Sequence, residues 1–194
     1  MLTRAFALLM GVLIALPVLA ESLILVARPA LQHPLYGRTV LAVTSFGAGQ
    51  HLGFILNRPT PYRLGDMFPG HAPSRKVVEP VFLGGPFELQ VIFALVPGAE
   101  TPGRGSIELM PGLYAVFDGN AVDRVIEANP HDARFLTGLV VWRPGELEQE
   151  LARGFWYRLP SDAALATRQP DGLWEELLVR AQHTRNLRRT AQPD

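Results

Sequence analysis

Arg38-Thr-Val-Leu-Ala-Val-Thr-Ser-Phe46, Gly47-Ala-Gly-Gln50 and His51-Leu-Gly-Phe-Ile-Leu56 follow one another without a break. Two short apolar runs flank a four-residue loop with two glycines, the pattern of an antiparallel β-hairpin. Upstream, Ser22-Leu-Ile-Leu-Val-Ala27 is a near-continuous apolar run and reads as a buried strand. Pro29 and Pro34 make the link between it and the hairpin irregular.

Downstream of the hairpin, Asn57-Arg58-Pro59-Thr60-Pro61 stops the third strand, and Leu64-Gly-Asp-Met-Phe68 is at most a short helix. A polar connection over 69–76 leads to a strand over 77–83. Gly84-Gly85-Pro86 turns sharply into another strand over 89–96. Residues 97–106 form the most loop-like internal stretch, and 113–117 is a strand. Asn120 is the expected cap of a helix over 121–128, ended by Asn129-Pro130. Residues 134–142 form a strand in which Gly138 marks close packing. Pro144 opens a Glu-rich helix over 144–153, and 155–159 is a short aromatic strand. An amphipathic helix over 171–181 is capped by Asp171, and 184–194 is expected as a flexible tail. Strands dominate, helices concentrate toward the C-terminus, and no repeat or linker interrupts the chain. That order predicts a single α+β domain over 21–183 rather than a regular βαβ alternation.

The N-terminus carries a separate signal. Arg4 precedes an uncharged run from Ala5 to Ala20 that ends Val18-Leu-Ala20. A positive start, an apolar centre and a small residue before the cut describe a secretory signal peptide over 1–20, cleaved after Ala20. The expected location is periplasmic or secreted; the alternative is an N-terminal membrane anchor. Sixteen helical residues rise roughly 24 Å, less than the ~30 Å hydrocarbon core, so an anchor requires tilt or local thinning.

Composition limits the partners. Eighteen basic and eighteen acidic residues balance, and loss of Arg4 with the signal leaves a net charge of −1. Such a chain projects no long-range field toward nucleic acid or an anionic membrane. With no cysteine, disulfides, thiolate metal sites and a cysteine nucleophile are excluded. A core must supply the stability, and 48% hydrophobic residues can build one.

Catalytic motifs are not found. Gly47-x-Gly49-x-x-x-Gly53 misses the dinucleotide fingerprint by one residue and enters a strand, whereas phosphate binding needs a helix N-terminus. No serine lies in Gly-x-Ser-x-Gly, and Ser45 beside Thr44 reads as a turn hydroxyl. His33, His51, His71, His131 and His183 are scattered, with no metal-binding spacing. Glu146 and Glu150 share a helical face that reads as solvated. Trp142, Trp156 and Trp174 read as core. No cofactor is expected.

The candidate functional surface is a set of polar residues at strand ends beside rigid turns: Arg28 before Pro29, Asn57 with Arg58 before Pro59, and Arg143 before Pro144. If these ends converge, they present a donor-rich rim for a small anionic ligand, a carboxylate or an acidic peptide. The bland alternative pairs each arginine with a helix C-terminus or a local carboxylate.

Several stretches carry a resemblance. Leu25-Val-Ala-Arg-Pro-Ala-Leu-Gln-His-Pro34, Gly53-Phe-Ile-Leu-Asn-Arg-Pro59, Val81-Phe-Leu-Gly-Gly-Pro86 and Gly138-Leu-Val-Val-Trp-Arg-Pro-Gly-Glu-Leu-Glu148, with Phe155-Trp156, resemble the bacterial YqgE/AlgH family in order and spacing over about 22–182. The resemblance implies a mixed, bifurcated, partly barrel-like β-sheet flanked by helices, and it implies no agreed reaction. This chain departs from the family at Thr44-Ser-Phe-Gly-Ala-Gly-Gln50, where members usually carry an acidic, His-containing stretch. It departs again at Val91-Ile92, where members tend to have Arg-Gly, and in its signal sequence, since members are usually cytosolic. The expected function is an exported, non-enzymatic binding or protein-interaction domain with an unknown protein or small anionic ligand as partner. A hydrolase-like enzyme built from separated residues is the alternative, and transcriptional regulation rests on a family label alone.

Overall fold

Ser22–Ala27 (β1), Val40–Ser45 (β2) and His51–Ile55 (β3) form an antiparallel meander in which Leu25 faces Leu41 and Leu41 faces Ile55. The expected hairpin is present: Phe46 N–H donates to the Gln50 carbonyl at 2.7 Å and closes the loop. The computed structural model describes residues 21–128 and 130–191. The expected signal peptide over 1–20, its cut after Ala20, and Asn129 of the expected helix stop lie outside the described residues. Consecutive residues Leu23 to Ala27 are all buried, and successive strand side chains point to opposite faces. Both faces of β1 are therefore covered, which is why its sequence is apolar without alternation.

The chain continues through Pro59–Arg63 (β4), Leu64–Met67 (α1), a 3-10 turn at Ala72–Lys76 and Pro80–Leu83 (β5). The third strand does stop before Asn57-Arg58-Pro59-Thr60-Pro61, at Ile55. The unexpected element is β4, which holds Pro59 and Pro61 and, among the described residues, pairs with β5 alone, so its outer edge needs no N–H donors. The polar connection over 69–76 contains a helical turn, and β5 begins at Pro80 rather than 77.

Phe87–Pro97 (β6), Ser106–Met110 (β7) and Leu113–Val116 (β8) follow. β7 was not foreseen; Met110 faces Leu113 across Pro111-Gly112, where Gly112 takes φ +80°. Next come Gly119–Ala128 (α2), Arg134–Trp142 (β9), Glu146–Ala152 (α3), Trp156–Pro160 (β10) and Leu173–Ala191 (α4), with a 3-10 turn at Ala163–Ala166. Asp118, not Asn120, caps α2, its Oδ1 accepting the Ala121 N–H at 3.0 Å. Pro144 precedes α3, because Gly145 occupies the cap with φ +82°. The segment 184–194, expected as a flexible tail, is helical through Ala191.

The sheet order is β10-β1-β2-β3-β9-β6-β8-β7, with β5 and then β4 branching from β9. The fork lies within one edge of β9. Leu136 and Thr137 pair in parallel with Phe82 and Leu83 of β5, whereas Val140 to Trp142 pair antiparallel with Gly53 to His51 of β3. Gly138, at φ +74°, sits at the divide. The sheet also curls, so that Leu109, Met110 and Leu113 from its β7–β8 end share one buried cluster with Ile24 and Leu41 of β1 and β2. α3 and α4 add Leu147, Leu173 and Leu177 to that cluster. A smaller core of Leu64, Val81, Val122, Ile126 and Phe135 lies beneath α1 and α2. This is the expected α+β domain, with a bifurcated, partly barrel-like sheet flanked by helices.

Candidate functional site

Three of the four expected rim residues meet at one end of the sheet. Asn57 extends the β2–β3 ladder with its side chain: Oδ1 accepts the Val40 N–H at 2.9 Å and Nδ2 donates to the Arg38 carbonyl at 3.0 Å. Arg58 Nη2 donates to the Gly37 and Pro34 carbonyls at 2.9 and 3.3 Å, tying down the irregular loop before β2. Arg28 lies over the Tyr157 ring at 4.4 Å, and its Nε is buried without a hydrogen-bond partner. Beside them Arg38 pairs with Glu175 and covers the Trp174 ring at 4.5 Å.

Arg143 does not join this group. It follows Trp142, which faces His51 at the start of β3, whereas Asn57 lies just past its end. Six residues of strand separate those positions, about 20 Å at ~3.4 Å per residue. Arg143 instead borders a depression of about 440 Å³ lined by Phe87, Leu139 and Val141.

Two polar centres, one half-buried and one buried, hold the fold. Trp142 and Trp156 both donate their indole N–H to Glu150 Oε2, at 3.0 and 2.8 Å. Glu150 is therefore not on a solvated face. It shares the inward side of α3 with Leu147, three residues before it. Tyr36 meets Trp156 edge-on at 6.2 Å, and burial, followed by the charge of Glu150, raises its hydroxyl above the usual tyrosine range. The second centre is Arg134, 1% exposed, which donates to the Leu56 and Arg168 carbonyls at 3.1 and 2.6 Å and stacks on Phe82 at 4.2 Å. The three tryptophans are core, as expected.

Ser45 and His51 face each other across β2 and β3, yet among the described residues no hydrogen bond joins their side chains. A nucleophile and its base need such a contact at about 2.6–3.2 Å. Among the described residues no group of three His, Cys, Asp or Glu could hold a metal ion. No described helix is long and apolar enough to cross a membrane.

Between β6 and α2 lies a groove of about 580 Å³, within the usual range of ligand sites. Its strand wall is Gln90, Val91 and Ile92. Its helix wall is Gly119, Val122, Asp123 and Ile126, spaced along one face of α2. Phe68, His71 and Phe117 close it, with both phenylalanines more than 40% exposed. His71 Nδ1 is 2.8 Å from Ser74 Oγ, and its Nε2 is 3.9 Å from Glu127. Sequence reasoning missed this site. Its only linear trace is the amphipathic face of α2, and nothing in the order of residues says that β6 runs past β8 to leave a groove beside that face.

The AlgH-like family profile (DUF179) matches residues 24–185 of the chain. A UPF0301 protein of Streptomyces avermitilis is 32% identical over 165 residues, covering 81% of this chain and 84% of its own length. One from Streptomyces coelicolor is 33% identical over 162 residues, with the same coverage of each chain. The solution structure of AlgH from Pseudomonas aeruginosa superimposes with a TM-score of 0.68 at 22% identity, covering 89% of this chain and 94% of that one. A crystal structure from Corynebacterium diphtheriae also gives 0.68, at 21% identity and with 83% and 86% covered. At these identities the two structures speak to the fold alone.

Proposed function

The chain belongs to the AlgH-like family, and we propose that this member works as an exported, non-enzymatic binding domain whose contact surface is the groove between β6 and α2. The observation that carries the binding role is exposed aromatic surface at a preformed concavity. Phe68 and Phe117 expose 42% and 46% of their area beside the buried floor of Val122 and Ile126. Apolar surface gathered in a concavity favours occupancy, because filling it removes that area from water.

The test is fluorescence enhancement of 8-anilinonaphthalene-1-sulfonate on the native protein, compared with Phe117→Ser. Enhancement lost in the variant, with unchanged circular dichroism, supports the groove. Enhancement absent from both, or equal in both, overturns it.

Export is supported by the pattern of Arg4 and the uncharged run to Ala20. The Glu21 carbonyl accepts the Ser45 N–H at 3.3 Å, so a cut after Ala20 keeps this bond and every described strand. Cell fractionation with intact mass measurement tests it. A soluble envelope form beginning at Glu21 supports cleavage, a membrane form beginning at Met1 replaces it with an anchor, and a cytosolic form beginning at Met1 overturns export. A second binding reading, a small-anion site at Arg28, is favoured by the unpartnered Nε of that residue. Citrate or phosphate protection against thermal unfolding, lost in Arg28→Met, would support it.

A further inference from the structure

Along the C-terminal half of β9 the two faces of the sheet differ. Val140 and Trp142 are buried, on the side where Trp142 meets Glu150 of α3. Leu139 and Val141 point the other way, because successive strand side chains alternate. Val141 is 40% exposed, and Phe87, which faces Leu139 across β6 and β9, is 52% exposed. Leu89 is exposed as well and stands beside Gly138, where a Cβ would lie 3.1 Å from its Cδ2. An antiparallel sheet with one solvated face normally carries polar side chains there. This one carries a row of large apolar ones.

The backbone bends at one end of that row. Phe87 pairs with Leu139, but the next pair is Ile92 with Thr137, so residues 88–91 bulge opposite Gly138. Glu88 sits in the bulge at φ +56°, a left-handed conformation that residues other than glycine seldom adopt. Among the described residues its carboxylate accepts only from Gln90 Nε2, at 3.2 Å.

Arg143 stands at the other end. It lies on the Leu139–Val141 side by alternation and five residues beyond Gly138, about 17 Å at ~3.4 Å per residue. Its guanidinium makes no hydrogen bond or salt bridge among the described residues. Glu146 is near it, but that carboxylate is engaged by the Arg143 N–H at 2.8 Å. Glu88 and Arg143 thus border one depression, with Phe87, Leu139 and Val141 between them.

An apolar row with an anion at one end and a cation at the other is complementary to itself. A twofold axis through the middle of the row, perpendicular to the sheet, exchanges its ends. A second copy then lays apolar side chains on apolar side chains and brings each arginine over the other copy's glutamate. Contacts of this isologous kind use the same patch on both partners. A partner of one charge would satisfy only one end.

We propose that this outer face of β6 and β9 joins two copies of the chain about a twofold axis, with Phe87, Leu139 and Val141 at the centre and Arg143 of each copy on Glu88 of the other. The face is separate from the groove between β6 and α2, and its role does not depend on what that groove binds.

Sedimentation equilibrium of the chain as recovered from cells, over a dilution series, tests this. The mass should rise with concentration toward that of two copies. Arg143→Glu and Glu88→Arg each set like charges together twice per dimer, and each should raise the dissociation constant about tenfold or more. Arg143→Gln and Glu88→Gln remove the pairs without reversing them and should each weaken association about fivefold. An equimolar mixture of the two reversed-charge variants restores an opposite-charge pair at both ends. The mixed dimer should form about as tightly as the native one, and native mass spectrometry distinguishes it from either self-dimer.

A native chain that stays monomeric at every concentration overturns the proposal. So does association that none of the four variants weakens, since the contact then lies elsewhere. Failure of the mixture to dimerise, with both variants folded by circular dichroism, overturns it too.

Discussion

The carbonyl oxygen of Gly85 occupies space that a side chain on Gly138 would need: a Cβ there would lie 2.3 Å from it. The approach is reciprocal in kind, since a Cβ on Gly84 would lie 2.3 Å from the Gly138 carbonyl oxygen. Gly84 N–H donates to the Thr137 carbonyl at 2.8 Å, and the Gly84 carbonyl accepts from Ile55 N–H at 2.8 Å. Two backbones thus pass within contact where β9 exchanges its β5 partner for β3. The fork in the sheet exists because these positions lack side chains.

Gly138→Ala therefore combines two penalties. Holding alanine at φ +74° costs about 1–3 kcal/mol, and the collision with backbone adds to it. Gly85→Ala meets Leu139 backbone at 2.2 Å without a positive φ and isolates the collision. Gly47→Ala, at φ +55° in open space, isolates the backbone strain and should cost about 1 kcal/mol. Urea unfolding midpoints should rank Gly47→Ala well above Gly138→Ala in stability; equal midpoints would contradict the crossing.

Glu150 satisfies two buried indoles, and Glu150→Ala strands both N–H groups. About 1–3 kcal/mol per unsatisfied donor sets the expected loss. Glu150→Gln keeps one acceptor oxygen and should lose less. Tryptophan emission, which reports the changed indole surroundings, and denaturant melts would be read together; a loss equal to that of an exposed glutamate on α3, such as Glu148→Ala, would count against this role.

Tyr36 holds its proton more tightly folded than unfolded, because burial and then Glu150 disfavour the phenolate. Its contribution to stability is whole below about pH 10 and is lost as pH rises through the raised folded value. Absorbance at 295 nm should show one of the four tyrosines titrating later than an unperturbed phenol. Glu150→Gln should bring it only part of the way back, since burial is the larger cause. Complete return to the ordinary range in that variant would show the order of causes to be reversed.

Arg134 spans β3 and the loop before α4 from the interior. Arg134→Met removes two charged hydrogen bonds and leaves the Leu56 carbonyl without a donor, for an expected loss of about 2–4 kcal/mol. Arg134→Lys should recover little, because a single ammonium does not reproduce a planar fork that also stacks on Phe82. Thermal unfolding midpoints of the two variants decide the matter, and full recovery with lysine would reduce Arg134 to a point charge.

Much of the molecule was legible because period and punctuation are local. Strands β1, β3 and β9 lie within a residue of their expected bounds, since unbroken apolar runs end at prolines, glycines or charges. β4 was illegible because its prolines oppose strand propensity, and only its position at an edge makes them tolerable. β7 was lost between a glycine-rich loop and β8, with only five residues to show a pattern. Glu150 looked solvated because a carboxylate on a short helix normally is, and the two indoles that need it come from strands before and after α3.

Residue order is enough for the α+β class, the hairpin of β2 and β3, the family and the absence of cysteine chemistry. Each of these depends on residues close in the chain or on ordered motifs. Tertiary structure alone decided that Arg143 stands at the far end of the sheet from Arg28 and Asn57, because strand direction sets which ends meet. It alone made the groove, because residues 90–92 lie beyond the last pair of β6 with β8 and stand opposite α2. Neighbours across a sheet are chosen by the whole fold rather than by the strand.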